Sequence, residues 1–170
     1  MKTSMKILKV LLMGIALLCS QNMWSVTEVN VSQAGTLSTL LTNCESTLKV
    51  TGVINGTDIK YIRSLVTAGT VTSIDWSEVR IVSGGDAYYG SFKTENNVIG
   101  EQMFTECASL QEMILPKSVT SIQANAFSRT GLKAIDIPNS VTRVGGDAFA
   151  YCSSLEKVVI GSKVKQMDQG

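Results

Sequence analysis

Between Met103 and the end of the chain, apolar positions return at a fixed interval. Phe104, Phe127 and Phe149 are 23 and 22 residues apart. Leu110, Leu132 and Leu155 follow at 22 and 23, and Val119, Val141 and Val164 at 22 and 23. The same words recur in full: SVTSIQANAF begins at Ser118 and SVTRVGGDAF at Ser140. A period in the low twenties is the mark of a solenoid, because one coil cannot bury its own apolar face and stacked copies bury each other's. Within each period one stretch alternates as a strand does: Leu110-x-x-Met113-x-Leu115, Leu132-x-x-Ile135-x-Ile137 and Leu155-x-x-Val158-x-Ile160. The last two named residues of each point inward, which leaves Glu112 and Ile114, Ala134 and Asp136, and Lys157 and Val159 facing out. Pro116 and Pro138 end the first two strands, since proline cannot donate to a ladder. Gly161 takes that place in the third.

Upstream the pattern loosens. VTSIDW (residues 71–76) fits the strand slot and puts Trp76 inward, and NVIGEQMF matches SIQANAF at Ile99/Ile122 and Phe104/Phe127. Residues 80–97, which carry GGDAYYG, read as an insertion. Residues 26–70 read as a cap with two short helices. AGTLSTLL has apolar residues at helical spacing. GTDIKYIRSLVTAG places Ile59, Ile62, Leu65 and Val66 on one face, with Thr57 or Asp58 as N-cap and Gly69 as the stop. TLKVTGVI alternates between them like a strand. Such a cap hides the apolar face and strand edges that a first coil would expose. No matching cap follows the last repeat, so the solenoid is expected to be truncated at its C-terminus.

The consensus of these periods, F-x-x-C-x-x-L-x-x-[IM]-x-[IL]-P-x-S-V-T-x-[IV]-x-x-x-A-F, resembles the BspA-like class of bacterial leucine-rich repeats, closely over residues 98–167. The resemblance implies a leucine-rich-repeat solenoid of mostly short β-strands with few helices, built as right-handed stacked coils behind an N-terminal α/β cap. It also implies a surface or secreted protein of the kind found in host-associated anaerobic bacteria and some protists. Several members of that class are implicated in attachment to host matrix proteins or in contact between cells. It carries over no defined binding residues.

The first 25 residues change where the protein is expected to act. Lys2, Lys6 and Lys9 precede the apolar run VLLMGIALL, and polar sequence follows. This is a secretory signal peptide, too short to cross a bilayer. The rival reading, a lipoprotein signal acylated at Cys19, wants a small residue where Leu18 stands. Once residues 1–25 are removed, 12 basic and 14 acidic side chains remain, a net charge of −2. A weakly acidic, exported protein is a poor partner for nucleic acid. The hydrophobic fraction of 44% argues against bulk disorder.

The candidate chemistry is sparse. There is no histidine, which removes Ser/His and Cys/His nucleophile pairs and every His-containing metal site. Cys44, Cys107 and Cys152 are odd in number, so they cannot form a complete disulfide framework. Cys107 and Cys152 sit two coils apart, about 10 Å at ~5 Å per coil, beyond disulfide reach, and read as buried thiols. The carboxylates are scattered, with no facing pair of the kind a glycosidase needs. Asp86, Glu95 and Asn96 in the insertion are oxygen donors without EF-hand spacing. Asn55-Gly56 is a turn and, with Asn30, also matches the N-glycosylation pattern.

No enzyme and no cofactor are expected within the chain. The expected function is non-catalytic recognition of a protein at the cell surface, host or cell–cell adhesion, with no transmembrane helix in the mature protein. The contact residues would be Glu112, Ile114, Ala134, Asp136, Lys157 and Val159 on the strand face, where chemistry changes from coil to coil while the inward positions do not. Tyr88 and Tyr89 form a second candidate as an aromatic platform. Two other classes stay open. One is a glycan-binding accessory protein using those tyrosines. The other is the repeat region of a larger protein with a catalytic module downstream.

Overall fold

The computed structural model describes residues 25–169, so the expected signal peptide lies outside the described residues apart from Ser25. In chain order the elements are β1 (Val26–Val31), α1 (Leu37–Leu40), β2 (Thr47–Ile54), α2 (Gly56–Thr67), β3 (Ser73–Ile81), β4 (Gly84–Tyr89), β5 (Phe92–Thr94) and β6 (Val98–Ile99). They continue as β7 (Glu112–Ile114), β8 (Ser121–Ile122), β9 (Ala134–Asp136), β10 (Arg143–Val144), β11 (Lys157–Val159) and β12 (Gln166–Met167). Strands β1, β2, β3 and β7 form one parallel sheet in that order. The pair β9–β11 extends it, held beside β7 by Lys133 N–H donating to the Gln111 carbonyl at 3.1 Å. On the other side of the coils β6, β8, β10 and β12 form a second parallel stack. This is the solenoid that the period predicts.

Each coil turns between the two stacks at its phenylalanine, and here the backbone itself makes the ladder. Gln102, Phe104 and Glu106 N–H groups donate to the carbonyls of Ala124, Ala126 and Ser128. One coil later Asn125, Phe127 and Arg129 donate in the same way to Gly146, Ala148 and Ala150. Aiming alternate groups along the stack requires left-handed backbone at Gln102, Glu106, Asn125, Arg129, Asp147 and Tyr151. That conformation costs a non-glycine residue about 1–2 kcal/mol, and the inter-coil bonds offset it.

The core fills the space between the stacks. Met113, Leu115, Ile135 and Ile137 are buried, as are Val119, Ile122, Val141 and Val144. Trp76, Phe104, Phe127 and Phe149 form an aromatic column with centroids 5.4, 5.6 and 5.4 Å apart. The two Phe–Phe steps are stacked and the Trp76 step is tilted by 56°. In the last coil the same slots are open: Val158 is 40% exposed, Ile160 49% and Met167 59%. No following coil covers them among the described residues.

The N-terminal helices are tied together by one carboxylate. Asp58 is 1% exposed and accepts from the backbone N–H groups of Gly35 (2.6 Å), Leu37 (2.9 Å) and Asn55 (2.9 Å). Asn55 in turn accepts from Thr57 N–H at 3.0 Å. The N-cap of α2 is therefore Asn55, two to three residues before the position expected, and Asp58 closes the capping box from inside. Helix α1 is a single turn, so its first N–H groups depend on Asp58 rather than on length. Asp58→Asn keeps the shape but puts an NH2 group where one carboxylate oxygen stood, facing either the Leu37 N–H or the N–H groups of Gly35 and Asn55. It is expected to destabilise the fold by about 1–3 kcal/mol, read as a lower urea midpoint at unchanged slope.

Candidate functional site

The strand face presents the six outward residues in two rows. All six are exposed. Ala134 lies opposite Lys157 and Asp136 opposite Val159. Glu112 lies opposite Ser73, whose hydroxyl donates to its Oε2 at 3.2 Å, and Ile114 lies opposite Asp75. Between β7 and β9 the face dips into a shallow groove of about 560 Å³ that brings together Glu112, Ile114, Ala134 and Asp136. Lys157 and Val159 stand one strand further on, outside it. Ile114, 55% exposed, is the apolar projection at its centre. Lys117 and Lys133 also line the groove. Strand parity missed both, because Lys117 lies beyond the proline stop and Lys133 precedes its strand. A rigid backbone, one exposed aliphatic anchor and charges of both signs are what a protein-binding surface uses.

The insertion is a hairpin, β4 paired antiparallel with β5. Its two tyrosines do different work. Tyr88 is 3% exposed and turned into the protein, although it borders a cavity beside the hairpin. Its hydroxyl donates to the Glu101 carbonyl at 2.8 Å, and burial pushes its phenol well above the usual tyrosine range. Tyr89 is half-buried. Its hydroxyl donates to Glu106 at 3.2 Å, which raises its phenol, and the Arg63 guanidinium lies 4.3 Å from its ring centroid. An aromatic platform of two adjacent rings is therefore not what the hairpin builds. Alternation along a strand sends neighbours to opposite faces.

Tyr88 and Arg63 together close the near edge of the solenoid. The carbonyls of Ala124, Ala126 and Ser128 accept from the preceding coil. Their counterparts in the first coil, Glu101, Met103 and Thr105, have no preceding coil. Tyr88 satisfies Glu101, while Arg63 Nη1 donates to Met103 at 2.6 Å and Nη2 to Thr105 at 3.2 Å. Nη1 also reaches Gln102 at 3.3 Å. A guanidinium fork suits this task because its donors diverge from one rigid plane.

The remaining candidates do not converge. Asp86 pairs with Lys60 at 3.3 Å, Asn96 accepts from Ser83 N–H, and Glu95 accepts from Gln123. Among the described residues no three His, Cys, Asp or Glu side chains are grouped to hold a metal ion. Cys107 is a free, buried thiol, and desolvation pushes its pKa up, away from reactivity. Cys152, also free, sits 3.0 Å from the Phe127 carbonyl and 3.2 Å from the Thr130 hydroxyl. No helix among the described residues is long and apolar enough to cross a membrane.

Residues 89–170 match the family described as "BspA type Leucine rich repeat region (6 copies)". Among solved structures, a leucine-rich repeat protein from Bacteroides ovatus ATCC 8483 is similar at 25% identity and a TM-score of 0.38. That match covers 72% of this chain and 30% of the other. A leucine rich cell surface protein from Faecalibacterium prausnitzii A2-165 is similar at 16% identity and a TM-score of 0.40, over 82% of this chain and 43% of the other. The chain thus spans less than half the length of either structure. No curated protein matches it.

Proposed function

We propose that the chain, whose residues 89–170 match the BspA-type leucine-rich repeat family, is an exported surface protein that recognises another protein, without catalysis, through its strand face. The observation that carries this reading is the contrast between faces. Inward slots repeat the same apolar chemistry, while the outward pairs change from Glu112/Ile114 to Ala134/Asp136 to Lys157/Val159 over a continuous backbone. The groove of about 560 Å³ around Ile114 supplies a place for a partner's side chain.

The partner class proposed is a host extracellular-matrix or surface protein, with adhesion as the role. The test is binding of the full chain, as its producing cell processes it, to a panel of purified matrix proteins at physiological salt. Saturable binding to one of them, weakened about tenfold or more by Asp136→Arg and by Ile114→Asp with the circular-dichroism spectrum unchanged, is the expected result. A partner that binds both variants as well as the parent would move recognition off the strand face and overturn the proposal. So would a folded chain that binds no protein of the panel.

A further inference from the structure

A second cavity lies on the opposite side of the coils from the strand face. It measures about 440 Å³, within the ~300–1,000 Å³ of small-ligand sites. Its floor is the outward surface of the second strand stack, where Ser121 and Arg143 are neighbours in register on β8 and β10. Its wall is the β4–β5 hairpin, which contributes Phe92, Lys93 and, just beyond β5, Glu95. The repeat period does not call for this hairpin, and the cavity runs from it across the β8 and β10 coils to Asp168, just beyond β12. Gly145 also lines the cavity. In the slot that Gln123 fills on one coil, the next coil has Gly145, and a Cβ there would lie 2.6 Å from the Ala124 nitrogen. Any larger residue would force the two coils apart.

The polar groups around this space are held in place before any ligand arrives. The Gln123 amide accepts from Glu101 N–H at 2.9 Å and donates to Glu95 at 3.0 Å, locking the hairpin to the coil. Arg143 donates to Asp168 at 2.6 Å, and Gln166 donates to the other oxygen of Asp168 at 2.8 Å. The bond from Arg143 holds the Asp168 carboxyl below its usual range. Each group keeps spare capacity, since a guanidinium has five donors and a carboxylate about four acceptor sites. The Ser121 hydroxyl and the Lys93 ammonium add a donor–acceptor and a further donor.

This inventory selects a ligand class. Lys93 and Arg143 face Glu95, Glu101 and Asp168, so the cavity carries one net negative charge. Phosphates, sulfates and nucleic acid are disfavoured by that sign, and two of the three carboxylates a cation would need are already engaged, Glu95 with Gln123 and Asp168 with Arg143. A neutral polyol suits it, because every hydroxyl is both donor and acceptor. Neighbouring hydroxyls on a ring can then bridge planar groups such as a guanidinium, an amide or a carboxylate. Half-buried Phe92 gives the C–H face of a ring an apolar surface. We propose that the cleft between the β4–β5 hairpin and the β8–β10 surface is a binding site for a neutral saccharide of one or two rings. This site is separate from the strand face; Tyr88 borders it but is only 3% exposed and so forms no platform, and Tyr89 is not among its lining residues.

The experiment is a titration of the ¹⁵N-labelled full chain, as its producing cell processes it. The probes are glucose, galactose, mannose, N-acetylglucosamine and their β-linked disaccharides, each to millimolar concentration. At least one sugar is expected to shift the amides of Ser121, Gln123 and Arg143 saturably while leaving Ala134 and Asp136 in place. Arg143→Ala and Phe92→Ala should each weaken that sugar about tenfold. Arg143 is exposed, so its variant is expected to remain folded. Asp136→Arg should leave sugar binding unchanged, which separates this site from the protein-binding face. No saturable shift from any sugar would overturn the proposal. Shifts confined to the strand face, or binding indifferent to Arg143→Ala, would also overturn it.

Discussion

Arg63→Ala is expected to lower the stability of the fold by about 3–5 kcal/mol, the largest loss from any single polar side chain here. Arg63 lies on α2 but makes its bonds 39–42 residues away, to the backbone of the first coil. It is 7% exposed, so water does not replace it freely when it is removed. A hydrogen bond from a charged donor contributes about 1.5–3 kcal/mol, and a buried carbonyl left without a partner costs about 1–3. Met103 and Thr105 would both be stranded. The sum stays below the simple total because some water enters the space left by the side chain. The stacking on Tyr89 adds a smaller term of about 0.5–2 kcal/mol. Arg63→Lys should recover only part of the loss, since one ammonium cannot reach two diverging carbonyls as a planar fork does. Arg63→Met restores the packing and none of the bonds, so it should resemble alanine more than lysine. Urea unfolding of the four proteins checks the order. If Arg63→Met were as stable as the parent, edge closure by Arg63 would be wrong. Tyr88→Phe should reproduce a smaller version, about 1–3 kcal/mol, through the single carbonyl of Glu101.

Phe104→Ala is expected to cost a similar 3–5 kcal/mol, by a different route. Phe104 is fully buried and touches a ring on each side, Trp76 at 5.4 Å and Phe127 at 5.6 Å. Its removal leaves a cavity between two stiff coils whose spacing is set by backbone bonds, so the site cannot collapse to fill it. Each lost aromatic contact adds about 0.5–1.5 kcal/mol. Phe149→Ala makes the comparison decisive. Phe149 occupies the same slot but is half-buried, with one ring neighbour at 5.4 Å. It should cost about 1–2 kcal/mol, because less area leaves water and the cavity opens to solvent. Thermal unfolding of both variants reads the gradient. Equal losses at the two positions would mean that the column does not transmit packing along the solenoid as the structure implies.

The parts of this protein that were legible in the sequence are those in which a residue's neighbour is its own counterpart. Phe127 packs on Phe104 and Phe149, and Ile135 follows Met113 and precedes Val158 in one slot. The contact map of the solenoid is therefore written along the chain as a spacing. The outward parity of Glu112, Ile114, Ala134, Asp136, Lys157 and Val159 follows from the same alternation. Trp76 could be placed inward by extending the strand slot one coil upstream.

What the repeat does not generate was not legible. The α2 N-cap falls at Asn55 because Asp58 is engaged with Gly35 and Leu37, a link across about 20 residues that no local pattern announces. Arg63 reads in sequence as one more polar residue on an amphipathic helix. Only the three-dimensional arrangement shows it facing carbonyls that lack a preceding coil. Alternation already sends Tyr88 and Tyr89 to opposite faces, but only the folded hairpin shows that one becomes an edge-closing hydroxyl and the other a ring under Arg63. The cavity floored by Ser121 and Arg143 needs the hairpin folded back over the coils before it exists at all.

The sequence by itself determined the period, the inward column, the strand stops and the outward rows, because apolar burial between identical neighbours depends only on spacing. The tertiary structure decided how the solenoid's first edge is closed and where polar groups from distant segments meet, because hydrogen bonds satisfy whichever partners the fold brings within 3 Å or so.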